Sequence, residues 1–191
     1  MYTPEEILEQ TAATAVVKVN KPLFTKLILG FIGGAMISLG YLAYLRVGGG
    51  FVGAAVFPVG LIVILLAGGE LITGNMMAVA VGYFKQRVTL KELLNNWVVI
   101  TLANLVGAIF VAYVFGVLAG TLTTGDALKE ALHVTQAKLN ANFLTAFCSG
   151  MGCNWFVGLA VWLSYGAKDF SGKILAIWFP VMTFVVIGFQ H

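Results

Sequence analysis

Two ionisable side chains lie inside long apolar segments, where a charge is costly. Glu70 stands in LLAGGELITG (65–74), directly after two glycines, and His191 ends the apolar run that begins at Ile174. An ionisable group at bilayer depth is expensive to keep, so each residue is a candidate for function. A carboxylate accepts hydrogen bonds and can hold a loop, whereas an imidazole changes its charge near neutral pH.

The composition places these residues in a membrane protein. Of 191 residues, 60% are hydrophobic and 10% are charged, whereas a soluble domain carries about 25% charged residues. The net charge of +3 comes from short basic clusters between apolar runs, which argues against a nucleic-acid partner. Cys148 and Cys153 share one apolar run and supply neither a disulfide framework nor a metal site. The glutamates of MYTPEEILEQ argue against a signal peptide.

The apolar segments predict an all-α, polytopic fold, because a bilayer core takes about 20 helical residues. Three segments have the length of one crossing: 27–45, 97–122 and 143–165. Segment 51–84 is too long for one simple helix and too short for two, and it contains Pro58 and the Gly68–Gly69 pair. We therefore predict one crossing built from two half-helices with a non-helical break between them.

The two ends of the chain differ from these segments. Residues 1–21 predict an amphipathic helix on the cytoplasmic membrane surface, with a capping box of Thr3 and Glu6 around Pro4. Residues 22–191 form a single transmembrane domain whose last segment, 174–191, is expected to be an incomplete crossing.

The basic residues predict the orientation of the chain. If segment 51–84 crosses once, one side receives eight lysines and arginines and the other side three. The three are Arg46, Lys129 and Lys138. The positive-inside rule then places the N-terminus in the cytoplasm of a cell (inner) membrane protein.

Two internal echoes predict an inverted repeat. GFIGGAMIS (30–38) aligns with AFCSGMGCN (146–154), and FPV occurs at 57–59 and 179–181. The first unit holds three crossings, so a second copy would start from the opposite face, as in many transporters. A second break is then expected around residues 187–191.

The predicted first break has the chemistry of an anion site. Gly68 and Gly69 permit unusual backbone angles, and the free N–H groups of Leu71 to Gly74 would point into the break, where a helix N-terminus favours an anion. Glu70 would repel an anion, so we expect its carboxylate to hold the loop through the loop's own backbone. Thr73 is the better donor to a ligand.

These stretches resemble a known family. LLAGGELITG (65–74) is similar to the first signature of the formate/nitrite transporters, and GMGCNWFVGLA (150–160) is similar to the second. Relatives commonly have cysteine at the position of Gly158 and phenylalanine at that of Ile72. The family also has a sixth helix that this sequence does not contain.

The resemblance implies a homopentamer of aquaporin-like protomers with broken second and fifth helices. Each protomer would pass formate, nitrite or hydrosulfide, and would be a channel or transporter without cofactor or metal rather than an enzyme. His191 would be the central histidine, with Thr73 and Asn154 as hydrogen-bonding neighbours and Lys138 in the outer vestibule. The hydrophobic constrictions would be formed by Phe57, Leu61, Leu71, Ile72 and Phe184.

Each assignment has a structural alternative. Phe57, Leu61 and Phe184 suit any core or lipid-facing helix, Asn154 suits helix association, and Lys138 suits a solvated loop. The sequence suggests a surface position for His133. These alternatives remain open at this stage.

The predicted mechanism follows from the cost of dehydrating an anion, which amounts to several kcal/mol. Lys138 would attract formate, the conjugate acid would form near His191 or in the vestibule, and the neutral acid would pass the constrictions. A respiratory membrane anchor that binds haem would need paired histidines, but the chain has only His133 and His191. A water channel would need paired Asn-Pro-Ala loops. The residues do not rank formate, nitrite and hydrosulfide, or decide whether the histidine donates the proton.

Overall fold

The structure, a computed structural model, describes residues 1–191 as nine α-helices without β-strands. The helices are α1 (Pro4–Asn20), α2 (Leu23–Arg46), α3 (Gly50–Val56), α4 (Val59–Ala67), α5 (Ile72–Phe84), α6 (Leu90–Val111), α7 (Gly125–Leu139), α8 (Phe143–Gly166) and α9 (Phe170–Ile187). Helix α6 continues into π-helical turns over Ala112–Leu118.

Five helical segments are long and apolar enough to cross a membrane. They are Leu23–Arg46, Gly50–Ala67, Leu90–Leu118, Phe143–Gly166 and Phe170–Ile187. The all-helical, multi-pass prediction is therefore confirmed. The third segment begins seven residues before the predicted Trp97, because the Thr89–Glu92 capping box starts the helix there.

Helix α1 has the predicted capping box, in which Thr3 and Glu6 bond each other's backbone. Its position differs from a helix that rests only on a membrane surface, because α1 packs one face against the bundle. Thr11, Ala12 and Ala15 have no exposed surface. Glu9 also pairs with Lys85 and Arg87, which follow α5.

Glycines allow α2 to lie against α6 at backbone distance. A Cβ atom on Gly34 would overlap the carbonyl oxygen of Asn104, and one on Gly107 would overlap that of Phe31. The next contact of α2 is similar, because a Cβ on Gly40 would lie 2.7 Å from the carbonyl oxygen of Phe57. Small residues at helix crossings permit this close packing in membranes.

The apolar core lies where α3–α4 meets α8 and α9. Its ten buried residues are Phe57, Leu61, Ile64, Leu71, Cys153, Val157, Ala160, Ile177, Val181 and Phe184. Four of them are among the five residues expected at hydrophobic constrictions. The core therefore lies directly beside the two helix ends that form the candidate site.

We predict that Gly34→Ala destabilises the protein, because the new methyl group overlaps the backbone of α6 and overpacking costs about 1–3 kcal/mol. The thermal unfolding midpoint in detergent should fall by several degrees. Gly150→Ala in α8 is the control: its Cβ meets no atom within 4 Å, and alanine favours helix by about 1 kcal/mol over glycine. Equal midpoints for the two variants would contradict this account of the α2–α6 contact.

Candidate functional site

The first helix break lies between α4 and α5. Helix α4 ends at Ala67, and Gly68 adopts a left-handed φ of 100°. The N–H groups of Gly68 and Gly69 both donate to the Ile64 carbonyl, at 3.1 and 2.8 Å. This arrangement closes the half-helix in a manner that requires glycine at its end.

Asn104 of α6 holds the backbone of this break. Its Nδ2 donates to the carbonyls of Gly30 (2.7 Å) and Glu70 (2.8 Å), and its Oδ1 accepts the Ile72 N–H at 2.9 Å. The Glu70 N–H donates to the Leu29 carbonyl at 2.9 Å. The Ile72 N–H is therefore not free for a ligand. The expectation that all the N–H groups of residues 71–74 are free is thus wrong for Ile72. Asn104 was not identified from the sequence, because there it is only one polar residue within an apolar segment.

The Glu70 carboxylate has different partners from those expected. It accepts from Lys18 Nζ at 2.7 Å and Asn75 Nδ2 at 2.8 Å, and Lys21 Nζ lies 3.1 Å away. The residue is only 3% exposed. Its charge is thus balanced by two lysines of the N-terminal segment rather than by the loop's own backbone. Lys18 is 52 positions away in the sequence, so no local pattern announces the pair.

The second break repeats the geometry of the first. Helix α9 ends at Ile187, Gly188 has a left-handed φ of 85°, and the N–H groups of Gly188 and Phe189 both donate to the Phe184 carbonyl at 3.1 Å. The Gln190 N–H donates to Ser149 Oγ at 2.7 Å. If Gly188 corresponds to Gly68, Gln190 corresponds to Glu70. Helix α9 thus ends at the start of the range 187–191 in which the sequence predicts a second break.

His191 lies among the aromatic residues at this second break. Its ring stacks on Phe184, with centroids 5.9 Å apart, and meets the edge of Phe57 at 6.2 Å. Lys138 Nζ donates to the His191 backbone oxygen at 3.1 Å and lies 5.7 Å from the centre of the Tyr41 ring. Burial lowers the pKa of the Lys138 ammonium, which α7 places beside the site. Four predicted site residues from three segments of the chain are thus brought together: Phe57, Lys138, Phe184 and His191.

Two cavities meet at His191. The α7 cavity, about 440 Å³, is lined by residues that include Tyr41, Phe57, Lys138, Phe184 and His191. The α8 cavity, about 910 Å³, is lined by residues that include Thr73, Asn154 and His191. Thr73 Oγ1 and Asn154 Oδ1 are buried without a hydrogen-bond partner. Buried polar atoms are normally satisfied, so these two are suited to a ligand or water.

The expected constriction residues do not all behave alike. Phe57, Leu61, Leu71 and Phe184 are at most 5% exposed and belong to the apolar core. Two of these residues, Leu61 and Leu71, also line a separate cavity of only about 10 Å³, together with Lys18 and Tyr165. Ile72 lies outside the core cluster and is half-buried.

The interruption between α4 and α5, the cavities that meet at His191 and the five apolar spans are typical of a polytopic membrane transport protein. The sequence profile of the family described as "Formate/nitrite transporter" matches residues 5–191. The chain belongs to the formate/nitrite transporter family. Its members are channels and transporters, so the protein is a transport protein and not an enzyme.

Individual relatives agree with this assignment. The chain is 52% identical to "Uncharacterized transporter YrhG" of Bacillus subtilis (strain 168), over 98% of this chain and 74% of the relative. It is 51% identical to "Formate channel BtFdhC" of Bacillus thuringiensis, over 100% of this chain and 77% of the relative. The solved structure "FNT family ion channel" superimposes with a TM-score of 0.89 at 26% identity, covering 98% of this chain and 78% of that structure.

A second solved structure, "Pentameric formate channel with formate bound", has a TM-score of 0.77 at 29% identity. It covers 88% of this chain and 70% of that structure. The all-helical channel fold expected from the sequence is therefore confirmed.

We predict that Asn104→Ala loosens the first break, because the carbonyls of Gly30 and Glu70 lose their common donor in a buried position. An unsatisfied buried group costs about 1–3 kcal/mol, so the unfolding midpoint in detergent should fall markedly. Asn95→Ala is the matched control, since Asn95 lies on the same helix and is exposed. Faster hydrogen exchange at Glu70 and Ile72 should accompany the loss only in Asn104→Ala. Unchanged exchange at these amides would show that Asn104 does not hold the break.

We further predict that Glu70→Gln releases α1, because it leaves the buried ammonium of Lys18 without its counter-charge. Removing one partner of a buried pair typically costs about 3–5 kcal/mol. Trypsin should then cut after Lys18 much faster than in the wild type, whereas Lys21 precedes Pro22 and is not a trypsin site. Glu5→Gln, an exposed change in the same helix, should leave the cleavage rate unaltered. Equal protection of Lys18 in Glu70→Gln would mean that apolar packing alone holds the helix.

Proposed function

We propose that the protein is a proton-linked channel for formate across the cell membrane, assembled as a homopentamer with the N-terminus in the cytoplasm. Relatives named as formate channels support the substrate, and the pentameric neighbour with formate bound supports both the substrate and the assembly. Nitrite and hydrosulfide are the alternatives, since both are small monovalent anions of weak acids.

The observation that carries this proposal is the surroundings of His191. The ring lies between Phe57 and Phe184 where the two cavities meet. The α8 cavity adds a hydroxyl and an amide oxygen without partners, on Thr73 and Asn154. A small acid that offers both a donor and an acceptor can satisfy such groups, whereas an apolar solute cannot.

The mechanism begins in the α7 cavity. The desolvated ammonium of Lys138 attracts formate, because charge interactions strengthen in a water-poor cleft. The anion cannot enter the apolar core without losing hydration worth several kcal/mol. Addition of one proton to a carboxylate oxygen gives neutral formic acid and removes most of that cost. The acid then passes Phe57, Leu61 and Leu71 and returns the proton to water on the other side.

The distribution of basic residues supports the orientation. If residues 51–84 cross the membrane once, eight lysines and arginines lie on the side of α1 and three on the side of α7. The positive-inside rule then places α7 and its cavity outside the cell. Formate would meet Lys138 first when it enters.

We predict that acidification raises formate influx and that His191→Phe slows it by at least about tenfold, because the variant removes the only polar ring at the junction. Stopped-flow uptake into proteoliposomes at pH 7.5 and 5.5 measures both effects. His191→Asn separates two roles, since asparagine keeps polarity but does not titrate. Loss of the pH response in that variant would assign the proton to His191, and retention would assign it to water. If His191→Phe matched the wild type in rate and pH response, the proposed role would be wrong.

A panel of substrates tests the rest of the proposal. Formate, nitrite and hydrosulfide should enter, whereas glycerol should not, because it gains nothing from a proton or from Lys138. Glycerol uptake at the rate of formate would indicate a general solute channel.

A further inference from the structure

His133 lies in the wall of the α7 cavity, although the sequence suggests only a surface position. The residue is exposed, yet it lines this cavity together with Lys138 and His191. Helix α7 turns His133, Val134, Ala137 and Lys138 toward the cavity, a spacing that forms one helical face. A histidine at the mouth is therefore followed by the lysine further along the same wall.

We propose that His133 is a second anion-recruiting residue, which adds a positive charge to the mouth of the α7 cavity when the pH of the adjoining solution falls. The inference rests on the proposed function and extends it to the entry step. Imidazole is the side chain whose charge ordinarily changes between pH 5 and 8. Formate uptake by the protein would then respond to acid in two places: at the mouth of the α7 cavity and at the site of proton addition.

The geometry allows both cations to act on one anion. Five residues separate His133 from Lys138, which is about 7.5 Å along a helix axis. The two charges are at least this far apart, a distance comparable to the screening length of about 8–10 Å at ordinary salt concentrations. A charge on His133 therefore adds to the field of Lys138 instead of being fully screened from it.

The neighbouring charged groups do not form an ion pair with His133. On the cavity wall, the other titratable groups are Tyr41, Tyr44, Lys138 and His191. On α7, Glu130 lies one turn earlier, and its carboxylate lies beside Gly49 of the α2–α3 turn, near the Tyr44 hydroxyl.

The remaining charged groups of this region have other partners. Asp126 pairs with Lys129 at 3.0 Å, and Arg46 of α2 donates to the Thr121 carbonyl. No carboxylate forms an ion pair with His133.

The test compares His133→Gln, His133→Lys and the wild type in proteoliposomes, by the formate concentration that gives half-maximal influx at pH 7.5 and 5.5. Variants are compared at the same pH, so protonation of formate itself cancels. At pH 5.5 this concentration should be about two- to fivefold higher in His133→Gln than in the wild type, as expected for one charge at this range. At pH 7.5 the two should agree. His133→Lys should show the low value at both pH values, and high salt should reduce every difference.

Gln136→Lys is the control for added charge, because residue 136 lies on α7 but does not line the cavity. It should leave the half-maximal concentration unchanged. The inference is overturned if His133→Gln follows the wild type at both pH values, or if Gln136→Lys acts as strongly as His133→Lys. A wild-type protein that carries no formate would overturn the proposed function instead, so the two failures are distinguishable.

Discussion

The rest of the structure depends on how backbone polar groups are satisfied where two helices stop inside a membrane. Unpaired N–H and C=O groups have no water to bind at that depth, so a break survives only where protein side chains or a cavity replace the water. Asn104 does this at the first break, with three hydrogen bonds to Gly30, Glu70 and Ile72. Ser149 contributes one at the second. The close contact of α2 with α6 follows from this need, since Asn104 must lie within bonding distance of both α2 and the break.

The two breaks share a backbone geometry but differ in charge, and this difference suits an anion path. Glu70 follows the left-handed Gly68, and its carboxylate is balanced by Lys18 and Lys21. Gln190 occupies the equivalent position after Gly188 and carries no charge. Lys138, which lines the same cavity as Gln190, forms no ion pair with a carboxylate and can attract an anion into the α7 cavity. The N-terminal helix covers the break that contains Glu70, whereas the segment that contains Gln190 lies beside Lys138 and His191.

Sequence patterns predicted those features that depend on local chemistry. The length of apolar runs gave the five spans, the Gly68–Gly69 pair gave the break, and Thr3 with Glu6 gave the start of α1. The weak echo between residues 30–38 and 146–154 predicts a second break near residues 187–191, and α9 ends at Ile187. Local patterns did not predict long-range partners, because nothing near Glu70 indicates Lys18. Nothing near Asn104 indicates its two carbonyl acceptors and one N–H donor on other segments. His133 was missed for the same reason: only the position of α7 over the cavity distinguishes it from a solvated residue.

The order of environments along the path explains why neither a cation nor an apolar wall would suffice alone. The Lys138 ammonium raises the local concentration of an anion, but a strong fixed attraction would also retain it. The apolar core that contains Phe57, Leu61 and Leu71 admits a neutral molecule and excludes the charged form. In the proposed mechanism, a proton added between the two converts the species that is attracted into the species that can cross. The neutral acid is no longer attracted by the charge of Lys138. Protonation therefore both allows the solute to enter the apolar core and releases it from the cation.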